Sequence, residues 1–573
     1  ETSSGVDINC EVRGGRLRVF VSQSERLSES GLCDRMAEAV AQSVRDVVSA
    51  CCASSMREST PSDWRSGALS SSGVSQSTLE SAEAWGGEIE EVMSLLPLQS
   101  SLLAAGVRDP ESSEYVVQTM YWVGGASSWS SVEEAVRVVS ERVSALRTSV
   151  WWEGEDEAVA VVHRGATARI DHADWRSSAR SWSRASEAEV DEGSPESRER
   201  RRSWAQSRAS SEAADRRSSL RVRSGGVRAE LRTMRVEEDA GLLCIEMHHV
   251  LLDGWSQSLI VSAIASTARA LSRGASRSEA SSSIDVRSAR CVVEWSRSQD
   301  ASAGRSYFAA LLGDVSSPTE LTGPRGRRES DRHVHGSHEQ RVEGEAARRV
   351  HECARSSGVT VGSVVQCAWA AALCVFASSD DVVYGSTVSG RPSSVEDADR
   401  VCGMLINTLP MRVRAGESTS CREAMRSIHA QTGALSDLSW VSSREAASTA
   451  GGGGMTSGDV MRCGFVFENY PVDAGVGEAS VGVRIEAVGG VEETGFQAGC
   501  VSWSGADGSI VMRVTHREDL IEGWVAERVC ATMRAALERM SSSPDMSLRE
   551  AGDVIESDRR SVVDEWNRTD RAI

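Results

Sequence analysis

With 573 residues, of which 40% are hydrophobic, the chain is long enough for three or four packed units, or for two docked lobes of roughly 200 residues with partial flanks. A formal net charge of −20 would repel a phosphate backbone or an anionic lipid surface, so nucleic acid and membrane are excluded as expected partners. No stretch approaches the roughly 20 apolar residues of a transmembrane helix, and Glu1 to Gly5 has no signal pattern, so the chain is expected in the cytoplasm. Its first residue is not Met, and it is expected to begin inside a larger polypeptide.

Fourteen cysteines are scattered without a Cys-x-x-Cys pair, and Cys244, Cys367, Cys374 and Cys530 sit in apolar runs, which predicts reduced, buried thiols. Lysine is absent, so all 63 basic residues are arginine, and this bias has no functional explanation in the sequence.

In chain order, Leu17 to Val21 is predicted as a strand and Met36 to Ala50 as a helix, followed by a polar linker-like stretch from Ser54 to Glu88. Val132 to Leu146 is predicted helical, Val159 to His163 a strand, and Ala173 to Ser219 a polar region of helices or loops. Leu231 to Val236 and Leu242 to Met247 read as two strands paired across the turn Glu237 to Gly241. After a Ser-rich connector at Ser272 to Ser283, helices are predicted at Gly344 to Arg355 and Val361 to Ala377. Strands follow at Val382 to Val388, Phe465 to Tyr470, Val483 to Val488 and Ile510 to His516, with a surface loop at Gly451 to Gly454 and a closing helix at Trp524 to Met540. The pattern predicts an α/β (α+β) protein in two comparable halves.

The segment Leu242 to Ser256 carries the chemistry. An apolar strand runs into His248 and His249, then Val250-Leu251-Leu252-Asp253-Gly254, and an amphipathic helix begins near Trp255. Histidine takes and returns a proton near neutrality, and two consecutive residues on an extended segment face opposite ways. Only one imidazole can therefore face reactants; the other is structural. An isolated His-His pair is more often structural, but His-His-x-x-x-Asp-Gly between a strand and a helix is far rarer.

That loop resembles the active-site signature of the condensation domains of nonribosomal peptide synthetases, which belong to the chloramphenicol acetyltransferase-like superfamily. Further segments match in the same order. Leu96-Pro97-Leu98-Gln99 resembles the opening motif. Arg142 to Thr148 resembles the second motif, with Val143 and Ser144 where the family has His and Glu. Tyr307 to Leu312 is similar to the inter-lobe segment, and Ser389-Gly390-Arg391-Pro392, Gly403 to Thr408 and Phe465 to Pro471 resemble later motifs. The resemblance spans about Glu91 to Glu556.

The resemblance implies two chloramphenicol acetyltransferase-like lobes in a V-shaped pseudo-dimer, residues 91–270 and 271–556, with 66–90 as a linker. It implies amide formation between a donor thioester and the amine of an acceptor, each on the 4'-phosphopantetheine of a carrier protein, with no intrinsic cofactor and no metal required. His249 is then the catalytic histidine, as base or as positioning group, and His248 its structural neighbour. Gly254 permits a tight turn, and Asp253 fixes the loop through an ion pair, with Arg391 as partner, or caps the helix. Arg147 and Asn407 are expected as framework, and the helix start at Trp255 as a source of N–H groups for the oxyanion. For Arg391 the plain alternative is a surface turn. His333, His335 and His338 imitate a metal site but sit in a charged stretch read as a solvated loop.

The flanks suggest neighbours. Ile8 to Val21 and Thr60-Pro61-Ser62-Asp63, with Trp64 where Phe is usual, resemble the tail of an epimerization domain (residues 1–65), and Glu565 to Thr569 within 557–573 resembles a linker toward an adenylation domain. Upstream and downstream carriers would be the partners. Two rivals remain: an epimerization domain, which shares the loop, and a silent carrier-docking scaffold, which the altered second motif favours.

Overall fold

The computed structural model describes residues 6–13, 16–23, 31–53, 59–64, 67–126, 128–165, 168–185, 194–222, 226–321, 335–416, 418–452, 454–469 and 482–553. Two compact units emerge, Glu1–Thr60 and Pro61–Ile573. The first is an antiparallel hairpin, β1 (Val6–Arg13) and β2 (Arg16–Gln23), with helix α1 (Leu32–Ala53), so the predicted strand and helix are both present. Tyr470, Pro471, His333 and the expected linker 557–573 lie outside the described residues.

The second unit contains three sheets of functional interest. One is three-stranded, in the order β3 (Ile89–Ser94), β6 (Val159–His163), β5 (Thr148–Trp151). The next has five strands. Its centre is β9 (Gly241–His248), flanked by β4 (Val116–Gly124) and β8 (Glu230–Arg235), with β7 (Arg169–Asp174) beyond β8 and β16 (Arg484–Val491) beyond β4. The third has the order β11 (His335–Val342), β18 (Ile510–Arg517), β17 (Ala498–Ser504), β15 (Cys463–Glu468), β12 (Asp381–Val388), β14 (Asn407–Arg414). Pro410 lies in β14, an edge strand, the place in a sheet where proline is tolerated. Two short strands, β10 (Arg287–Ser288) and β13 (Val401–Cys402), pair in parallel.

Strand β9 is buried along its whole length, as a central strand covered on both faces should be. Leu243, Ile245 and Met247 pack in a core with helices α4 (Trp129–Arg142) and α7 (Gly254–Ser272); Leu242 and Cys244 face the other way, toward helices α5 (Arg176–Ala185) and α6 (Pro195–Arg216). Helix α6 buries only Ser197, Arg201, Ala205, Ala209 and Ala213, a stripe at four-residue spacing. Its apolar face is made of methyl groups, which explains why the sequence reads there as merely polar. In the other half, the apolar helix Val361–Phe376 is buried nearly all round, against the six-stranded sheet and the helix Gly523–Ser542. Among the described residues no single helix is long and apolar enough to cross a membrane.

Three expectations change. The stretch 66–90 is folded where it is described: it carries helix α2 (Gln76–Gly86) and buries Ala68, Leu69, Val74, Leu79 and Ala82. These few apolar positions anchor a surface too polar to announce itself. The division at residue 270 is not a clean seam, because β16 leaves the second half and pairs with β4 of the first, Arg484 opposite Gly124 and Val491 opposite Gln118. Finally, His335 and His338 lie in strand β11, with the His338 ring stacked on His516, and not in a solvated loop.

Candidate active site

The active loop follows directly from β9. His248 ends the strand with 1% exposure, and its Nδ1 accepts the Val250 N–H at 3.2 Å, which closes the turn. Burial, reinforced by the neighbouring His249, pushes its pKa down to about 3, so it is a neutral structural ring. The turn is braced from helix α3 (Pro97–Arg108): Gln99 Nε2 donates to the Val250 carbonyl at 2.8 Å while its Oε1 accepts from the Leu96 N–H at 2.9 Å. The Leu-Pro-Leu-Gln motif thus reaches the site through one amide.

Asp253 is completely buried and does both jobs that the sequence left open. It is the N-cap of α7, with Oδ1 accepting from Ser256 N at 2.8 Å, and it pairs with Arg391 through both guanidinium nitrogens, at 3.0 and 3.1 Å. Its Oδ2 also accepts from the Leu405 and Ile406 N–H groups at 3.0 and 3.3 Å. Burial alone would raise its pKa, but Arg391 outweighs it and holds the carboxyl below the usual range. The Arg391 side chain is 4% exposed, so Gly390-Arg391-Pro392 is not a surface turn. Gly390 adopts φ +61°, and a Cβ there would lie 1.7 Å from the Leu405 oxygen; only glycine fits. Gly254 is different: it has no positive φ and opens helix α7, so its role is not a tight turn but a first helical residue without a side chain, at the cavity wall.

The cavity encloses about 2940 Å³. Of the loop residues and expected supports, His248, His249, Asp253, Gly254, Trp255, Arg147, Arg391 and Asn407, only His249 and Gly254 line it, beside Pro97 and Leu98 of the opening motif and Met404, Ile406 and Thr408 of a later one. Arg147 is buried away from it, donating to Glu90 at 2.5 Å and to the His163 carbonyl; Asn407 donates to the carbonyls of Ser439 and Val441 at 2.8 and 2.7 Å. Both are framework. Trp255 donates from Nε1 to the Asp399 carbonyl at 2.9 Å and stacks beneath Arg391. Of the first-turn N–H groups, that of Ser256 is already taken by Asp253.

His249 is 8% exposed, with Nε2 directed at Glu492 Oε1, 3.4 Å away. Its Nδ1 has no hydrogen-bond partner among the described residues. Burial favours the neutral ring, but the Glu492 carboxylate outweighs it and raises the histidine pKa, while His249 in turn lowers that of Glu492. Sequence reading missed Glu492. It follows β16 in the run Val491-Glu492-Glu493-Thr494, and only the strand crossover brings it to the loop.

Comparisons with known proteins agree with this geometry. The family model "Condensation domain" matches residues 89–561. A linear gramicidin synthase of Brevibacillus parabrevis is 26% identical over 98% of the chain, and bacitracin synthase 3 of Bacillus licheniformis 25% identical over 98%. The chain spans only 7% and 8% of the length of those two proteins. Among solved structures, the first condensation domain of the calcium-dependent antibiotic synthetase, in complex with a substrate analogue, aligns with TM-score 0.60 at 16% identity over 80% of this chain and 99% of that one. The starter condensation domain of rhizomide synthetase aligns with TM-score 0.62 at 15% identity, over 80% and 96%. A family match over most of the chain, on a fold shared with solved condensation domains and around a buried His-His-x-x-x-Asp-Gly loop, places this chain in the condensation domain family of nonribosomal peptide synthetases.

Proposed function

We propose that the chain forms peptide bonds, joining a donor acyl or peptidyl thioester to the amine of an acceptor aminoacyl thioester. Both substrates arrive on the phosphopantetheine arms of carrier proteins, one upstream and one downstream. The observation that carries this reading is His249 at the wall of a large cavity, on a loop pinned by the buried Asp253–Arg391 pair. No covalent enzyme intermediate is required, because the nucleophile is the acceptor's own amine. The C–N bond forms as the C–S bond breaks, and the sulfur leaves as a thiol. His249 orients the amine and moves its proton; the cavity brings the reactants together, an effect on the order of 7–11 kcal/mol when alignment is good.

The first unit, residues 6–53 in the main, is read as the tail of an upstream epimerization-type domain. Half-exposed Ile8, Leu17 and Phe20, at 46%, 50% and 52%, are the kind of apolar surface a larger domain would cover. Residues 557–573 are read as leading to an adenylation domain, and the cytoplasm as the compartment.

The test is a single-turnover assay with both carriers loaded. Amide product on the downstream carrier is expected. Exchange of the α-hydrogen in deuterated water with one loaded carrier alone would instead establish epimerization, and neither reaction, in a protein that still binds both carriers, would establish a docking scaffold.

A further inference from the structure

Glu492 differs from the other acidic groups around His249. Its side chain is 46% exposed, toward the cavity, and no arginine pairs with it among the described residues. The neighbouring charges are engaged elsewhere: Asp253 with Arg391, Glu493 with Arg217 at 2.9 Å, and Arg517 with Glu114 and Asp519 at 3.4 and 2.7 Å. His248 is 1% exposed and does not line the cavity, and its Nδ1 is taken by the Val250 N–H.

We propose that Glu492 binds the α-ammonium group of the acceptor substrate and presents it to His249. This rests on the amide-forming reading of the same cavity. An ammonium carries three donors and no acceptor. Glu492 Oε1 and His249 Nε2, 3.4 Å apart, are two acceptors that one such group can bridge when the imidazole is neutral. An α-amino group with a reference pKa near 7.7 arrives mostly protonated at pH 7 and must lose that proton before it attacks. A carboxylate that faces the cavity with no arginine beside it among the described residues attracts the cation and then stabilises the imidazolium that forms when Nε2 takes the proton.

The protons balance. The first leaves the ammonium for His249 and passes on to solvent. The second leaves the nitrogen as the C–N bond forms and goes to the departing sulfur as the C–S bond breaks. The separation of the two acceptors is fixed by Tyr115, which receives the His249 N–H on its carbonyl at 2.7 Å and donates its own N–H to the Glu493 carbonyl at 2.8 Å. Tyr115 therefore acts on the pair as a positioning residue.

The experiment compares the parent with Glu492→Gln, which preserves shape and removes charge. Binding of glycyl-aminopantetheine and of its acetyl counterpart, which lacks the ammonium, is measured by NMR titration without any donor. The parent is expected to prefer the ammonium-bearing probe, and Glu492→Gln to lose that preference by roughly 10- to 100-fold, the range of a charge-assisted hydrogen bond. Glu492→Asp should keep part of it. In the complete reaction, kcat/KM for the acceptor should fall similarly, while KM for the donor carrier stays unchanged. A parent without preference, or a variant that weakens both probes equally at an unchanged melting temperature, would overturn the assignment. If the preference is present but no amide forms, the ammonium site stands and the reaction assigned to it fails.

Discussion

Tyr115 holds a left-handed backbone, φ 63°, while its carbonyl accepts the His249 N–H at 2.7 Å. Bulky residues rarely adopt that conformation, which costs on the order of 1–3 kcal/mol and persists where surrounding structure over-determines it. Here the Glu493 carbonyl and the Gly495 N–H, which donates to the tyrosine hydroxyl at 3.2 Å, complete the constraint. One strained residue thus joins the His248–Gly254 loop to the segment that follows β16.

Replacing His249 with Ala should slow amide formation by about 10²- to 10⁴-fold, the usual worth of acid–base help, with folding and carrier affinity intact. Single-turnover rates and binding isotherms check this together. A rate within about threefold of the parent would be too small a loss for a proton-handling group.

Asp253→Ala should destabilise the fold by roughly 3–5 kcal/mol, because it leaves the Arg391 guanidinium buried without its counter-ion. Denaturant titration measures the loss. The double variant Asp253→Ala with Arg391→Met should recover part of it, since two apolar groups leave no orphaned charge. Melting like the parent after Asp253→Ala alone would contradict the energetic role of the pair.

His248 predicts an acid limb. Its folded pKa near 3 lies below the reference value of about 6.5, so below that value the unfolded chain binds a proton that the native ring refuses. The sign is therefore a loss of stability as pH falls from about 6.5 toward 3, on the order of 4 kcal/mol from this group over the full range. His249, with a raised pKa, has the opposite sign: its contribution is present below about 6.5 and lost as pH rises through the folded value. Stability of His248→Gln, measured from pH 7 to pH 4, should decline less steeply than that of the parent.

Gly390→Ala should cost more than about 1–2 kcal/mol, the usual penalty for a left-handed residue with a Cβ, because the added atom also meets the Leu405 oxygen. Amide formation should fall with it, since Arg391 is the next residue and would be displaced from Asp253. Urea melts and single-turnover rates on the same preparation would show whether the two losses travel together.

What the sequence announced and what it hid have physical reasons. The loop from His248 to Gly254 was legible because strand, turn and helix are consecutive, and β8 and β9 pair across a short turn, where alternation alone sets the register. Arg391 was reachable only through the family motif, since nothing near it in the chain names Asp253 as its partner. Glu492 was out of reach: Glu493 beside it is chemically identical yet turns to Arg217, and only tertiary pairing separates the two. Strand β4, central to the site, went unassigned because Gln118, Thr119 and Tyr121 interrupt its apolar run. The hidden stripe of α6 is alanine, too weakly hydrophobic to stand out among its arginines.

The crossing of β16 bears on how synthetases can be cut and rejoined. A chimera spliced near residue 270 would ask β4 to accept a foreign strand along seven residue pairs of ladder; a first half produced alone would present that row of N–H and C=O groups as an open edge, prone to pairing with other chains. It would also lack Glu492. Exchange of parts should therefore carry Arg484–Val491 and the residues just after it together with the strands they join, so that the hereditary unit of this site is defined by sheet edges and not by sequence halves.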